Sequence, residues 1–253
     1  MHRVPLTSGA RAGWVYVRAL RGDDEESIEA TDTASAVAFV DRLLAAVPGA
    51  AAAPGDARRL TAADRDRVLA AIYLVEVSAR VRSSPVCPSC GARFDLDFAL
   101  AELVAELRPD HSSLRAEADG SFTAEDGTRF RIPNGDDELA SVGEPSPSDA
   151  LAARCHLGGP SSPAALAALM ERAAPLIDVE LDAVCPDCGH RHAIRFDIQS
   201  FLLGSLIAER KQRAAEVQAL ARSFGWSLTE ILAMTRRQRR LHVELAERAS
   251  AVR

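Results

Sequence analysis

The chain contains one short pattern twice, as Val86-Cys87-Pro88-Ser89-Cys90-Gly91-Ala92-Arg93 and as Val184-Cys185-Pro186-Asp187-Cys188-Gly189-His190-Arg191. In each copy, two cysteines three positions apart bracket a tight turn whose backbone amides point at the sulfurs. The glycine after the second cysteine permits the left-handed backbone that such a turn needs. This is the pattern of a zinc knuckle, and two knuckles supply four thiolates. The sequence therefore predicts one structural zinc ion, bound by Cys87, Cys90, Cys185 and Cys188.

The distance between the two knuckles is unusual. Ninety-four residues separate Cys90 from Cys185, whereas roughly 15–20 separate the pairs of a continuous zinc ribbon. One site can still form if the intervening segment is an insertion that closes back on its own base. Two separate reduced knuckles and a redox pair are the alternatives. Redox chemistry is disfavoured because no thioredoxin-like βαβ pattern surrounds either pair.

Two histidines after the second knuckle, and a fifth cysteine elsewhere in the chain, are further candidates for metal binding or catalysis. His190 and His192 follow the second knuckle, where they would have to displace a well-placed thiolate to bind metal, so we expect surface histidines. Cys155 lies in an apolar helix beside His156. Neighbouring residues on a helix point apart, so these two are not a catalytic pair, and we expect a buried free thiol.

Strand patterns flank both knuckles. Residues 176–184 alternate apolar and acidic side chains, as a half-buried strand does, and residues 193–198 form a second strand. We therefore predict an α+β, mainly helical fold built around a split zinc ribbon, formed by two strand–knuckle–strand halves. The predicted segments are an N-terminal part with strands and two helices (1–83), the split ribbon (84–98 with 176–198), an acidic insertion (99–175) and C-terminal basic helices in a hairpin or bundle (199–253).

Local signals predict several elements within these segments. Residues 23–26 form an acidic turn, and Asp32 and Thr61 are helix N-caps. In the insertion, a Glu-Asp-Gly loop at 125–127 places Phe122 opposite Phe130 in a hairpin, with Gly127 left-handed. Further helix starts and stops are predicted at Ser146-Pro147 and Ser162-Pro163, at Gly225 as the end of a long helix over 199–223, and at the capping boxes Ser227–Glu230 and Thr235–Gln238.

Composition and charge exclude several classes of protein. The 253 residues are 47% hydrophobic and 26% charged, which is an ordinary globular balance and excludes disorder throughout. No N-terminal targeting signal and no run of about 20 apolar residues are present, so we expect a cytoplasmic protein without membrane contact. In that compartment, cysteines are more often metal ligands or free thiols than disulfides.

Charge is unevenly distributed. The net charge is −6, but residues 201–253 carry ten Arg or Lys against five Glu, which leaves −11 for residues 1–200. The sequence contains no phosphate loop, no serine-nucleophile elbow and no His-Glu-x-x-His. A zinc ion with four thiolate ligands also has no open position for water. We therefore predict a protein that is not an enzyme and has no small-molecule substrate.

The sequence contains a further set of motifs: Cys-Pro-x-Cys-Gly-His from Cys185, Phe196-Asp197-Ile198-x-x-Phe201, Phe224-Gly225-Trp226, Ile231-Leu232-Ala233-Met234 with the arginine-rich final helix, Leu60–Arg67, Phe94–Phe98 and Arg131–Leu139. Together these motifs resemble the T-even-type phage baseplate hub assembly chaperone family, whose bacterial members commonly occur with contractile injection system genes. The resemblance covers most of residues 60–250 and is most specific in 184–245. It implies non-enzymatic help in building the hub or baseplate of a phage-tail-like particle, and hub or baseplate proteins as partners. The zinc ion is inferred from the cysteines and not from the resemblance.

The basic C-terminal helices are the predicted partner surface. Guanidinium groups suit protein interfaces because they form bidentate pairs and lose water readily. The predicted contact residues are Trp226, Arg236, Arg237, Arg239 and Arg240. A zinc-ribbon nucleic-acid-binding or regulatory protein is the alternative function, with the same arginines as phosphate contacts. The acidic body and the lack of aromatic residues within the knuckles argue against nucleic acid as a partner.

Overall fold

The computed structural model describes residues 1–8 and 13–251 and has an α+β architecture, with eleven α-helices and small antiparallel sheets in this part of the chain. The strands are β1 (His2–Leu6), β2 (Gly13–Val17), β3 (Arg80–Ser83), β4 (Leu96–Ala99), β5 (Leu114–Ala116), β6 (Phe122–Ala124), β7 (Arg129–Phe130), β8 (His156–Gly158), β9 (Asp178–Val184) and β10 (Arg191–Asp197). The helices are α1 (Gly22–Glu26), α2 (Thr33–Leu43), α3 (Ala62–Glu76), α4 (Leu100–Glu106), α5 (Gly135–Ser141), α6 (Pro147–Cys155), α7 (Pro163–Ala173), α8 (Ile198–Ala208), α9 (Arg210–Phe224), α10 (Leu228–Ala233) and α11 (Arg236–Ala251).

The main core lies where α2, α3 and α8 pack together. These helices bury aliphatic side chains such as Val40, Leu69 and Leu202, all fully inaccessible. Both predicted N-caps are confirmed: the Asp32 carboxylate accepts from the Ser35 amide and the Thr61 hydroxyl from the Asp64 amide. β1 and β2 pair with each other and bury Val4, Val15 and Val17 in this core. Both strands lie in the N-terminal segment that was predicted to contain strands.

Part of the predicted insertion, from β6 to α7, forms a second small core together with Ala63 of α3, beside a four-stranded sheet in the order β5-β6-β7-β8. Phe122 pairs with Phe130 across the hairpin, and Gly127 adopts φ 85°, so both hairpin predictions are confirmed. Cys155 is fully buried in this core, and burial raises the pKa of its thiol to about 11. The predicted buried free thiol is therefore confirmed and is unreactive at neutral pH.

Two elements differ from the sequence prediction. The acidic run 23–26 lies in α1 rather than a turn, and its second and third carboxylates, Asp24 and Glu25, are buried. The long helix expected over 199–223 is interrupted at Glu209, which separates α8 from α9. No glycine or proline marks this break. At the break, the Glu209 carboxylate pairs with Arg236 of α11.

The C-terminal helices otherwise begin and end where predicted. Gly225 takes the left-handed conformation, with φ 72°, and ends α9. Ser227 and Glu230 form a reciprocal capping box before α10, and Thr235 and Gln238 do the same before α11. Among the described residues, no helix is both long enough and apolar enough to cross a membrane.

Candidate metal centre

Two hairpins carry the cysteine turns. β3 pairs with β4, and an isolated bridge between Val86 and Arg93 extends this pairing to the first turn. β9 pairs with β10 up to Val184 and Arg191, next to the second turn. The hairpins meet at their bases, where the rings of Phe98 and Phe196 pack edge to face with centroids 5.1 Å apart. This contact brings together two segments that are far apart in the sequence.

The two turns have the same backbone hydrogen bonds. The Cys87 amide donates to the Ala92 carbonyl and the Gly91 amide donates to the Cys87 carbonyl, each at 2.9 Å. In the second turn, Cys185 bonds to His190 and Gly189 bonds back to Cys185 at the same distances. Both glycines are left-handed, with φ 75° and 71°. A side chain at either glycine would be strained, which is the physical reason for the repeated Cys-Gly step.

The four sulfurs lie within 4.8 Å of one another, and the structure could hold a metal ion among them. Cys87 Sγ is 3.7 Å from Cys188 Sγ, and Cys90 Sγ is 3.7 Å from Cys185 Sγ. Thiolates about 2.3 Å from a tetrahedral ion are about 3.8 Å apart, so these separations suit a metal. They are far longer than the S–S bond of about 2.05 Å, and all four cysteines are free.

The thiols do not ionise independently. The backbone amide of Cys90 lowers the pKa of Cys87 to about 7. At Cys90 the Ala92 amide favours the thiolate, but hydrogen bonding to the other three cysteines, Cys188 above all, raises the pKa of Cys90 to about 12. Crowded thiols therefore lose the first proton readily and resist losing the next. A cation at the centre would relieve this repulsion and favour four thiolates.

Each turn buries its first cysteine and exposes its second. Cys87 and Cys185 are 1% exposed and pack with Phe94, Ala183 and Ile194 in a small apolar cluster. Cys90 and Cys188 lie at the surface. The cluster holds the hairpin tips together, and four sulfur ligands would leave no coordination position for a substrate.

The histidine prediction is only half right. His190 is exposed as expected, but His192 is half-buried, with its ring 5.7 Å from Phe94 and 5.6 Å from His190. Both ring nitrogens of His192 are inaccessible and lack a hydrogen-bond partner. The position could have been anticipated, because alternation along β10 places residues 192, 194 and 196 on one face. Neither imidazole belongs to the four-cysteine group.

The predicted partner residues fall into two sets. Arg237 and Arg240 are exposed, and Trp226 is half-buried, stacked on Phe224 with centroids 4.5 Å apart. Arg236 and Arg239 are buried and form ion pairs within the chain. These two arginines are therefore not available to a partner, which corrects the prediction that grouped all four.

Glu25 of α1 is the buried acceptor that sequence reasoning missed. Its carboxylate lies within ion-pair distance of Arg213, Arg236 and Arg239. Glu216 also approaches Arg239, at 3.5 Å, so the buried guanidinium groups have carboxylate partners on α1, on α9 and at Glu209 between α8 and α9. Four acidic residues in a row usually indicate solvent exposure. Only the unusual arginine density at 236–240 could have indicated that buried acids exist elsewhere in the chain.

Neither protein-family models, nor curated proteins, nor solved structures match the chain.

Proposed function

We propose that the four cysteines bind one structural zinc ion and that the two hairpins form a split zinc ribbon around it. Four thiolates are a donor set typical of structural zinc. The matching turns and the 3.7 Å sulfur separations across them support this assignment. The ion would close a chain segment of about a hundred residues, and so contribute to the stability of both hairpins.

The chain then acts as a non-enzymatic protein-binding module. We assign it to the assembly of the hub or baseplate of a phage-tail-like contractile injection system, inside the cell that builds the particle. The single observation that carries this assignment is the set of motifs between residues 184 and 245. A metal site without an open position and an exposed apolar and basic face on the last helix are consistent with binding rather than catalysis.

Co-expression with hub and baseplate proteins encoded beside its gene tests this function. We expect a stable complex with at least one hub protein and reduced binding when the exposed Arg237 and Arg240 are both replaced by glutamate. The same preparation should not bind duplex DNA with submicromolar affinity at physiological salt. If DNA binds tightly and no hub protein does, the nucleic-acid alternative replaces the proposal.

A further inference from the structure

The four cysteines form two close sulfur pairs, and each pair joins one hairpin to the other. Cys87 Sγ lies 3.7 Å from Cys188 Sγ, and Cys90 Sγ lies 3.7 Å from Cys185 Sγ. The partners in these pairs are 101 and 95 positions apart in the sequence. Both contacts run between the β3–β4 hairpin and the β9–β10 hairpin. A covalent bond within either pair would therefore cross-link the two hairpins.

Each pair combines an exposed cysteine with a buried one. Cys90 and Cys188, the second cysteines of the two turns, are exposed. Cys87 and Cys185 are 1% exposed and lie in the apolar cluster between the hairpin tips, to which both hairpins contribute side chains. A small oxidant in solution therefore reaches one member of each pair first. The second member, on the other hairpin, already lies beside it.

We propose that hydrogen peroxide converts the four cysteines into two disulfides that cross between the hairpins, Cys87–Cys188 and Cys90–Cys185. To do so, sulfurs 3.7 Å apart must approach by about 1.7 Å, to the disulfide length of about 2.05 Å. This reaction differs from that of a redox pair within one turn, because each bond joins one turn to the other. Only the release of metal rests on the proposed function, whereas the pairing of the sulfurs rests on their positions.

Each disulfide forms in two steps. The thiolate of the exposed cysteine attacks one oxygen of hydrogen peroxide, the O–O bond breaks, and hydroxide departs, which leaves a sulfenic acid on that sulfur. The buried thiolate of the other hairpin then attacks the sulfenic sulfur, the S–O bond breaks, and a second hydroxide departs. Each pair of thiolates thus gives two electrons to one molecule of peroxide.

Oxidation would exchange one link between the hairpins for another. A sulfur in a disulfide is no longer a thiolate, so zinc bound by the four cysteines would be lost. The new bonds close long chain segments, and a cross-link of this kind restricts the unfolded chain. The oxidised, metal-free protein should therefore unfold at a higher urea concentration than the reduced, metal-free protein. Disulfides within each turn would close only four residues and would not join the hairpins.

Tryptic mapping of the full chain distinguishes the two kinds of disulfide. Cleavage after arginine leaves both cysteines of the first turn on peptide 83–93 and both cysteines of the second turn on peptide 173–191. After treatment of the zinc-loaded protein with hydrogen peroxide, non-reducing mass spectrometry should find these two peptides linked. A chromogenic chelator should detect zinc release as the linked product appears. Cys155, fully buried in the second small core, should remain a free thiol and serves as the internal control.

Two matched variants assign the individual bonds. Peroxide should give Cys188→Ser a single Cys90–Cys185 disulfide and leave Cys87 as a thiol. It should give Cys90→Ser a single Cys87–Cys188 disulfide and leave Cys185 as a thiol. Pairing within the turns predicts the reverse, with a Cys87–Cys90 bond in the first variant and a Cys185–Cys188 bond in the second. Mapping of the wild type decides between the two patterns even if neither variant folds.

Three results would overturn the inference: disulfides confined to each turn, sulfinic or sulfonic acids in place of disulfides, or bonds between two chains. The zinc content before oxidation is read separately. Protein that contains no zinc but forms both cross-hairpin disulfides keeps the inference and removes the zinc assignment. Protein that binds zinc but pairs its cysteines within each turn keeps the zinc assignment and removes the inference.

Discussion

Arg239 of the last helix donates to the carboxylate of Glu25, 214 residues earlier in the chain, and both side chains are only 1% exposed. Around this pair, the Gly22 amide donates to the Met234 carbonyl and the Arg236 amide donates to the Leu20 carbonyl. The N-terminal segment and the C-terminal helices are therefore joined both by backbone hydrogen bonds and by a buried ion pair. Burial of charge on both sides makes the junction sensitive to the loss of either partner.

Replacing Glu25 by glutamine should destabilise the fold strongly. The variant leaves Arg213, Arg236 and Arg239 buried with one fewer negative charge, and breaking a buried pair costs about 3–5 kcal/mol. Urea denaturation measures this loss. Glu26→Gln is the matched control, because Glu26 is 44% exposed and pairs with the same Arg213. The Glu26→Gln variant should lose no more than about 1 kcal/mol of unfolding free energy. Equal effects of the two variants would contradict a central role for Glu25.

Glycine substitutions test how closely the two segments approach. A Cβ at Gly22 would lie 2.8 Å from Arg239 Nη1 and 3.1 Å from the Leu232 Cα. Gly22→Ala should therefore cost about 1–3 kcal/mol through overpacking. At Gly204 of α8 only a Thr31 methyl lies near, at 3.8 Å. Gly204→Ala should instead stabilise the protein by about 0.4–1 kcal/mol. Thermal unfolding of both variants checks the predicted opposite signs, and a stabilised Gly22→Ala would refute the close approach.

Asp66 should make stability depend on pH. Burial raises its pKa from 3.8 to about 7, against the opposing effects of Arg65 and of the Ile177 amide, which donates to it at 3.0 Å. Between these values the folded chain binds more protons than the unfolded chain, so stability falls as pH rises from about 4 to 7 and remains lower above that.

Asp66→Asn removes this titration but retains an oxygen that can accept from the Ile177 amide. The wild type should lose about 2–3 kcal/mol more than the variant between pH 5 and pH 8. Urea denaturation at the two pH values gives this difference directly, with other titrating groups cancelling. Parallel pH dependence in both proteins would show that Asp66 is not a buried acid with a raised pKa.

Removing one of the four proposed metal ligands should affect both hairpins. Cys185→Ser should lower the metal content and reduce stability by more than about 3 kcal/mol, because bound metal contributes folding free energy. Cys155→Ala removes a buried thiol in the insertion core and should retain the metal in full. Elemental analysis of both purified variants distinguishes them. Loss of metal from the Cys155 variant, or its retention at wild-type level by the Cys185 variant, would place the site elsewhere.

Local chemistry accounts for what the sequence predicted well. The knuckle turns, the Phe122–Phe130 register and the N-caps at Asp32 and Thr61 depend on residues within a few positions of each other. The convergence of the cysteines followed from the duplication of the turn. The packing of the hairpin bases through Phe98 and Phe196 could not be foreseen.

Distant contacts account for the errors. From sequence, the acidic residues 23–26 are predicted to form a solvent-exposed turn. In the structure, Glu25 instead lies beside arginines of α9 and α11. At the interruption between α8 and α9, Glu209 likewise pairs with an arginine that is distant in sequence, Arg236. Charged residues are normally exposed, so a pattern of charges does not reveal which of them meet in the interior. In α11 the buried Arg236 and Arg239 alternate in sequence with the exposed Arg237 and Arg240. Only the positions of the partner carboxylates in the fold distinguish the buried arginines from the exposed ones.

Metal analysis with X-ray absorption spectroscopy of the full chain, purified from zinc-supplemented cells, tests the central claim most directly. We predict one zinc ion per chain with four sulfur ligands at about 2.3 Å and no nitrogen or oxygen ligand. Protein that is folded but free of zinc, or zinc bound by fewer than four sulfurs, would contradict it.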